Sequence, residues 1–170
     1  MATETEAMDQ AVKAATIKTG KYLTFCLKEE EYGIGILKVK EIIGMMPVTS
    51  VPQTPDFVKG VINLRGKVIP VIDLRCKFAM DAIAYTDRTC IIVVEIDSDS
   101  ATVQIGIVVD AVSEVLNIGQ ADIEDPPQFG TSLDTNYILG MAKIDGGVKI
   151  LLDIDRILSR QEVTQLGAVS

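Results

Sequence analysis

A chain of 170 residues with 48% hydrophobic side chains fits one domain or two intimate subdomains and is too apolar for global disorder. A net charge of −8 and an isoelectric point near 4.5 argue against a general nucleic-acid surface, because neutralising phosphates needs clustered Lys and Arg. No apolar run approaches the ~20 residues that span a bilayer, so direct membrane insertion is not expected.

Residues 1–19 are rich in Ala, Thr and Glu and read as a mobile tail with no secretory pattern. Tyr22–Leu27 and Tyr32–Leu37 flank the charged turn Lys28–Glu31 and predict a β-hairpin. Gly33 and Gly35 hint at close backbone approach or a bulge. Val39, Ile42 and Ile43 fall at i, i+3, i+4, which suits one helical turn with Glu41 outward, although so short a run fits a strand too. Pro47, Pro52 and Pro55 mark an extended loop, after which Asp56 is placed to cap a helical turn over 57–61. Leu64-Arg65-Gly66-Lys67 predicts a hairpin turn with Gly66 at positive φ. Val68–Leu74 comes next as a strand, in which Pro70 suggests an edge or bulge.

Residues 80–88 connect two halves. The nearly all-apolar run Thr89–Ile96 predicts a strand covered on both faces. Asp97–Ser100 reads as a polar turn, Thr102–Val109 as a strand, and Ala111–Leu116 as a second short helical turn. A loop with Pro126, Pro127, Phe129 and Gly130 precedes the β region 137–153. The apolar positions 154, 157, 158 and 163 predict a terminal amphipathic helix.

The strongest internal signal is a repeat. Gly60–Asp73 aligns without a gap on Gly140–Asp153 at an offset of 80, matching Gly60, Gly66, Val68 and Asp73 with Gly140, Gly146, Val148 and Asp153. Gly33–Ile43 aligns on Gly106–Leu116 at an offset of 73, matching Glu41 with Glu114. Two similar halves packed together are implied, since neither alone could bury much core. The expected division is 1–19 as tail, 20–158 as one domain with intertwined halves at roughly 20–85 and 86–158, and 159–170 as the end of the terminal helix.

Catalytic equipment is not apparent. The chain has no histidine, which removes Ser-His-Asp and Cys-His arrangements and the commonest general base. There is no P-loop and no G-x-G-x-x-G. Asp97/Asp99 and Asp153/Asp155 lack the spacing of a calcium loop, and read as a solvated turn and a helix start. Cys26, Cys76 and Cys90 read as reduced, mostly buried thiols of a cytoplasmic protein. No enzyme, cofactor or metal is therefore expected.

Three features invite a surface reading. Arg65 sits at a hairpin tip where the second half has Asp145, so the first half alone offers a Glu41–Arg65 pair. This is either an ordinary surface ion pair or the frame of a binding patch floored by Val39 and Gly60. Phe129, on a Pro-rich loop, is either a partner anchor or a residue folded back on the core. Met45, Met46 and Val48 form either a contact strip or core.

The runs Glu31–Ile42, Thr54–Arg75 and Gly106–Leu116 resemble the CheW family of bacterial chemotaxis adaptors, and the match extends from about Lys21 to Leu158. The resemblance implies a mainly β fold of two SH3-like five-stranded barrels sharing a hydrophobic interface. It implies a non-catalytic scaffold that couples transmembrane chemoreceptors to the histidine kinase CheA in membrane-associated arrays. It implies a receptor hairpin tip docked in a groove between the subdomains, at Val39, Glu41, Gly60, Asn63 and Arg65 with Val112 and Val115 opposite. Kinase contacts, with the regulatory domain of CheA, would fall at Val48 and Phe129. The loop 120–131 matches the family less closely. A general peptide-binding β-barrel is the competing reading, though four Phe, four Tyr and no Trp leave few aromatics for it. A small carboxylate enzyme using a metal is the third.

Overall fold

The computed structural model describes residues 20–97, 102–125, 137–158 and 162. Its strands are β1 (Gly20–Leu27), β2 (Glu30–Gly35), β3 (Val39–Gly44), β4 (Val58–Leu64), β5 (Lys67–Asp73), β6 (Cys90–Asp97), β7 (Thr102–Val109), β8 (Ala111–Ile118), β9 (Ile123–Glu124), β10 (Ile138–Ile144) and β11 (Gly147–Leu152). The helical pieces are α1 (Leu74–Lys77), α2 (Ile154–Ile157) and 3-10 turns at Ile36–Lys38 and Gln120–Asp122.

Two sheets result, with orders β8-β1-β2-β11-β10-β9 and β3-β6-β7-β5-β4. The internal repeat is visible in both. β4–β5 and β10–β11 are hairpins with the same register irregularity, before Gly60 and before Gly140. Both turn on two left-handed residues, Arg65-Gly66 and Asp145-Gly146. Asp73 and Asp153 each accept the N–H two residues on and cap the adjoining helical turn. β5 runs parallel to β7, and β11 parallel to β2. The bridge Thr49–Val61 in one sheet corresponds to Glu124–Met141 in the other. Both sheets are curled SH3-like layers rather than closed barrels.

Each sheet draws strands from both halves. The hairpin β1–β2 opens the first half but lies beside β8, β10 and β11, while β6–β7 lies among β3, β4 and β5. The first hairpins of the two halves are thus exchanged.

The core has three parts. A central cluster, with Phe25, Ile34, Ile72, Ile92, Ile107 and Leu152 all fully buried, joins one face of each sheet. Ile62, Ile69, Val71, Ile91, Val93 and Val108 fill the curl of the five-stranded sheet. Tyr22, Ile118, Ala142 and Leu151 fill the other. β6 contributes to the first two clusters with alternate residues, which is why its sequence is apolar on both faces.

Several local expectations are corrected. Val39–Ile43, left open between helix and strand by its spacing, is strand, Ala111–Leu116 is strand rather than a helical turn, and a 3-10 turn lies earlier, at Ile36–Lys38. In β3 the side chains alternate, so Glu41 is half-buried and Ile42 exposed, the reverse of a helical reading. Phe57–Val61 is not helical, because β4 already begins at Val58 and pairs with β5. Leu74 belongs to α1, not to the strand before it. The three cysteines are free but half-buried rather than buried. Pro70 pairs with Val61, just before parallel pairing to β7 begins at Val71, so its missing N–H falls where β5 is locally an edge. The expected turn at 98–100, the Pro-rich loop with Phe129, and most of the terminal helix beyond Leu158 lie outside the described residues.

Candidate functional site

The β4–β5 turn places Arg65. Asn63 Oδ1 accepts the Gly66 N–H at 2.8 Å and braces the turn, while Arg65 itself holds φ 52°. From there Arg65 Nη2 donates to Glu41 Oε1 on β3. β3 and β4 are the two edges of one sheet, so this ion pair bridges edge to edge across its curl. Arg65 is 72% exposed and Glu41 30%, which leaves the guanidinium open to a partner. Of the residues named from sequence, Glu41, Asn63 and Arg65 are brought together here.

Val39 and Val112 hold equivalent positions at the offset of 73, and both pack half-buried against the central cluster. Val115 is exposed on β8, as is its equivalent Ile42 on β3. Gly60 lies elsewhere. It is buried at φ 144°, and a Cβ there would stand 1.9 Å from the Thr49 carbonyl oxygen. Its role is to let the Thr49 segment bridge to Val61 through hydrogen bonds of 2.8 and 2.9 Å. Val48 packs half-buried against the cluster inside the five-stranded sheet, with Met45 and Met46. Phe129 is outside the described residues.

Sequence reasoning missed two features. Val68 and Val148 are both exposed, as are Ile42 and Val115, so each half carries the same apolar surface pairs. The repeat offsets held that signal. A cleft of about 610 Å³ opens between the Ile36–Lys38 turn, the start of β1 and α2, with Tyr22, Ile36, Leu37, Leu139, Leu152 and Ile154 as apolar lining. Leu37 is 92% exposed, although the sequence reads as strand there. Lys38 Nζ reaches Asp155 Oδ2 at 2.8 Å and Asp97 Oδ2 at 3.0 Å, which ties this turn to α2 and to the end of β6. Burial alone would lower the Lys38 ammonium, and the hydrogen bonds from its two carboxylates raise it above its ordinary value.

A second clasp stands at the other helical turn, where Arg75 matches Asp155 and Asp110 matches Leu37, the neighbour of Lys38. Arg75 Nε and Nη2 donate to the two oxygens of Asp110 at 2.7 and 2.5 Å, and both side chains are largely buried, at 10% and 18% exposure. The Lys28 N–H also donates to Asp110, at 2.8 Å. Burial pushes the Asp110 carboxyl up, but the Arg75 and Lys28 hydrogen bonds carry it below the usual carboxylate range. Asp110 leads directly into β8 and so fixes where Val112 begins. Among the described residues no cluster of three or more Cys, Asp or Glu could hold a metal, and no helix is long and apolar enough to cross a membrane.

The comparisons with known proteins agree with this architecture. The family model for the CheW-like domain matches residues 21–162. The chain is 43% identical over 150 residues to the chemotaxis protein CheW of Klebsiella aerogenes, covering 88% of each. It is 32% identical over 155 residues to the chemotaxis protein CheW of Rhizobium meliloti, covering 91% of this chain and 97% of that one. The crystal structure of the scaffolding protein TtCheW from Thermoanaerobacter tengcongensis superimposes with a TM-score of 0.74 at 38% identity, over 85% of this chain and 97% of that one. With the model spanning nearly the whole described chain and relatives matching almost end to end, the chain belongs to the CheW family.

Proposed function

We propose that this chain is a non-catalytic chemotaxis adaptor that couples transmembrane chemoreceptors to the histidine kinase CheA and lets receptor signals control kinase autophosphorylation. The observation that carries the site is the Glu41–Arg65 pair, braced by Asn63 and exposed on the Arg side. An apolar strip with a charged rim suits an amphipathic helix, whose apolar face gives affinity while the rim sets register. The receptor's helical hairpin tip docks along Val39, Glu41, Asn63 and Arg65, with Val112 and Val115 on the facing wall. Gly60 serves this wall indirectly, through the loop seated on it. Val48 and Phe129 contact the regulatory domain of CheA. The adaptor works in the cytoplasm, recruited to receptor arrays.

Co-sedimentation with receptor-containing membranes, with and without CheA, tests this while autophosphorylation is tracked. The expected result is binding to both partners, with kinase activity rising only when all three are present. Adaptor left in the supernatant with kinase activity unchanged overturns the proposal and favours a general peptide-binding β module.

A further inference from the structure

The described strands pass from one sheet to the other at two places. β2 lies in the six-stranded sheet and β3 in the five-stranded one, so the Ile36–Lys38 turn is the first crossing. β7 lies in the five-stranded sheet and β8 in the six-stranded one, so Asp110 is the second. Every other pair of consecutive described strands shares a sheet.

Both crossings are fastened by the same construction. At the second, Asp110 accepts the Lys28 N–H just past β1 and the Arg75 guanidinium from α1. At the first, Asp155 of α2 accepts the Asp97 N–H through Oδ1 at 3.0 Å, while its Oδ2 takes Lys38 Nζ at 2.8 Å. The two N–H groups are equivalent. β1 matches β6 at an offset of 69, because Leu27 pairs with Glu30 as Ile96 pairs with Val103, and Glu30 matches Val103. Lys28 therefore matches Asp97. The charges are exchanged between the two clasps. One has its acid on the crossing and its base on the helical turn, and the other has the reverse. Each clasp joins a strand end of one sheet, the crossing itself and the helical turn that follows a strand of the other sheet.

The clasps differ in strength. Arg75 grips Asp110 with two nitrogens in a largely buried place. Lys38 is 30% exposed and holds Asp155, at 29%, and Asp97, at 66%, with one ammonium. The first crossing is three residues long and the second is one. The first crossing is the looser joint, and Lys38 is the side chain that closes it. Both joints open onto the walls of the receptor site, since Val39 follows Lys38 and Val112 stands two residues past Asp110. Those walls lie in different sheets, so the setting of one sheet against the other sets the distance between them.

We propose that Lys38 is a positioning residue for coupling. By fastening the first crossing to both sheets it makes them one body, so that displacement at the receptor walls reaches the kinase surface. This rests on the adaptor reading, and in it Lys38 touches neither partner. Signal transfer between two sites needs contacts that both sites bias, and a slack joint between the walls absorbs the displacement. Lys40 supplies the contrast. Its Nζ meets Glu95 Oε2 at 2.8 Å, and that pair joins β3 to β6 within one sheet, so it spans no joint.

Lys38→Gln, Lys38→Arg and Lys40→Gln in the full chain test this. Hydrogen exchange is read first on the chain alone, with no receptor or kinase, so its outcome is independent of the adaptor reading. Lys38→Gln should speed exchange several-fold at the Asp97 amide and through the Ile36–Lys38 turn, while Lys40→Gln leaves both as in the wild type. Receptor binding, CheA binding and kinase activation are then measured separately. Lys38→Gln should keep both affinities and lose activation several-fold when all three components are saturating. Lys38→Arg keeps a cation within reach of both carboxylates and should restore activation, and Lys40→Gln should activate as the wild type does. Unchanged exchange in Lys38→Gln overturns the proposal. So does full activation by Lys38→Gln, an equal loss in Lys40→Gln, or a fall in either affinity that accounts for the lost activation, which would make Lys38 a contact residue. A wild type that binds neither partner refutes the adaptor reading instead, and the exchange comparison still decides the clasp.

Discussion

Charge reversal at Arg65 separates a binding role from a structural one. The Glu41–Arg65 pair is exposed on its Arg side, so its loss should cost about 0–1 kcal/mol of stability. Placing two carboxylates side by side adds a repulsion of similar size. For a domain of this length that shifts Tm by only a few °C, at roughly 2–4 °C per kcal/mol. If Arg65 meets an acidic group on the receptor tip in a desolvated contact, Arg65→Glu should weaken binding by about 2–3 kcal/mol, roughly 30- to 150-fold. Isothermal titration with a receptor-tip hairpin, beside a thermal melt, reads both quantities. The exchange Glu41→Arg with Arg65→Glu restores the ion pair and should recover the melt but not the affinity. Normal receptor binding by Arg65→Glu would refute the placement of the site. A Tm fall of about 10 °C that tracks the affinity loss would refute the reasoning as well, because the pair would then be holding the sheet closed.

The remaining predictions test the scaffold beneath that surface. Gly60→Ala forces a Cβ into the Thr49 carbonyl and strains a positive φ, so it should cost about 3–5 kcal/mol, read by urea denaturation. Gly140→Ala, which meets the Ile123 side chain at 2.7 Å and the Glu124 carbonyl at 2.9 Å without a positive φ, should cost less, and the reverse order would contradict the role given to Gly60. Arg75→Ala leaves the largely buried Asp110 unpaired and should cost about 3–5 kcal/mol, a Tm loss on the order of 10 °C. Asp110 is held below the usual carboxylate range, so its contribution to stability is fully present above about pH 4 and is lost as pH falls through its folded value. Asp153 is shifted the other way, chiefly by burial. The wild type therefore loses stability as pH rises from about 4 through that raised value. Asp153→Asn keeps a capping acceptor and should gain on the wild type as pH rises through that window. A gain confined to pH values below the window would show that the shift has been assigned with the wrong sign.

The repeat was legible in the sequence because positions that need a special backbone or a cap recur in register. Gly66 and Gly146 close the turns, and Asp73 and Asp153 cap the helical turns after the hairpins. Lys38 and Asp155 were not recognised as a pair because 117 positions of chain separate them and only the folded topology brings them together. Val39–Ile43 was ambiguous because three apolar residues at i, i+3, i+4 fit one helical turn as well as a strand, and the pairing with β6 decides it. α1 escaped notice because four residues are too few to show a period. The Glu41–Arg65 contact was visible in outline, since the second half lacks the basic member. The cleft was not, because it depends on which hairpin lies in which sheet. Equivalence between halves says which strands are alike and nothing about which strands pair.

The exchanged hairpins have a consequence for how the chain comes apart. β2 pairs with β11, and β5 with β7, so neither half keeps a complete sheet without the other. Melting should therefore be one transition, with no stage at which one layer survives alone. A cut in the connection between Ala79 and Arg88 would leave two fragments, each unable to close its own layer and each supplying the strands the other lacks. Such fragments should be unstructured apart and reassemble on mixing. For an object meant to sit between two partners this has a mechanical meaning. Displacement imposed on one layer is carried across by strands covalently belonging to the other, and the body moves as one piece.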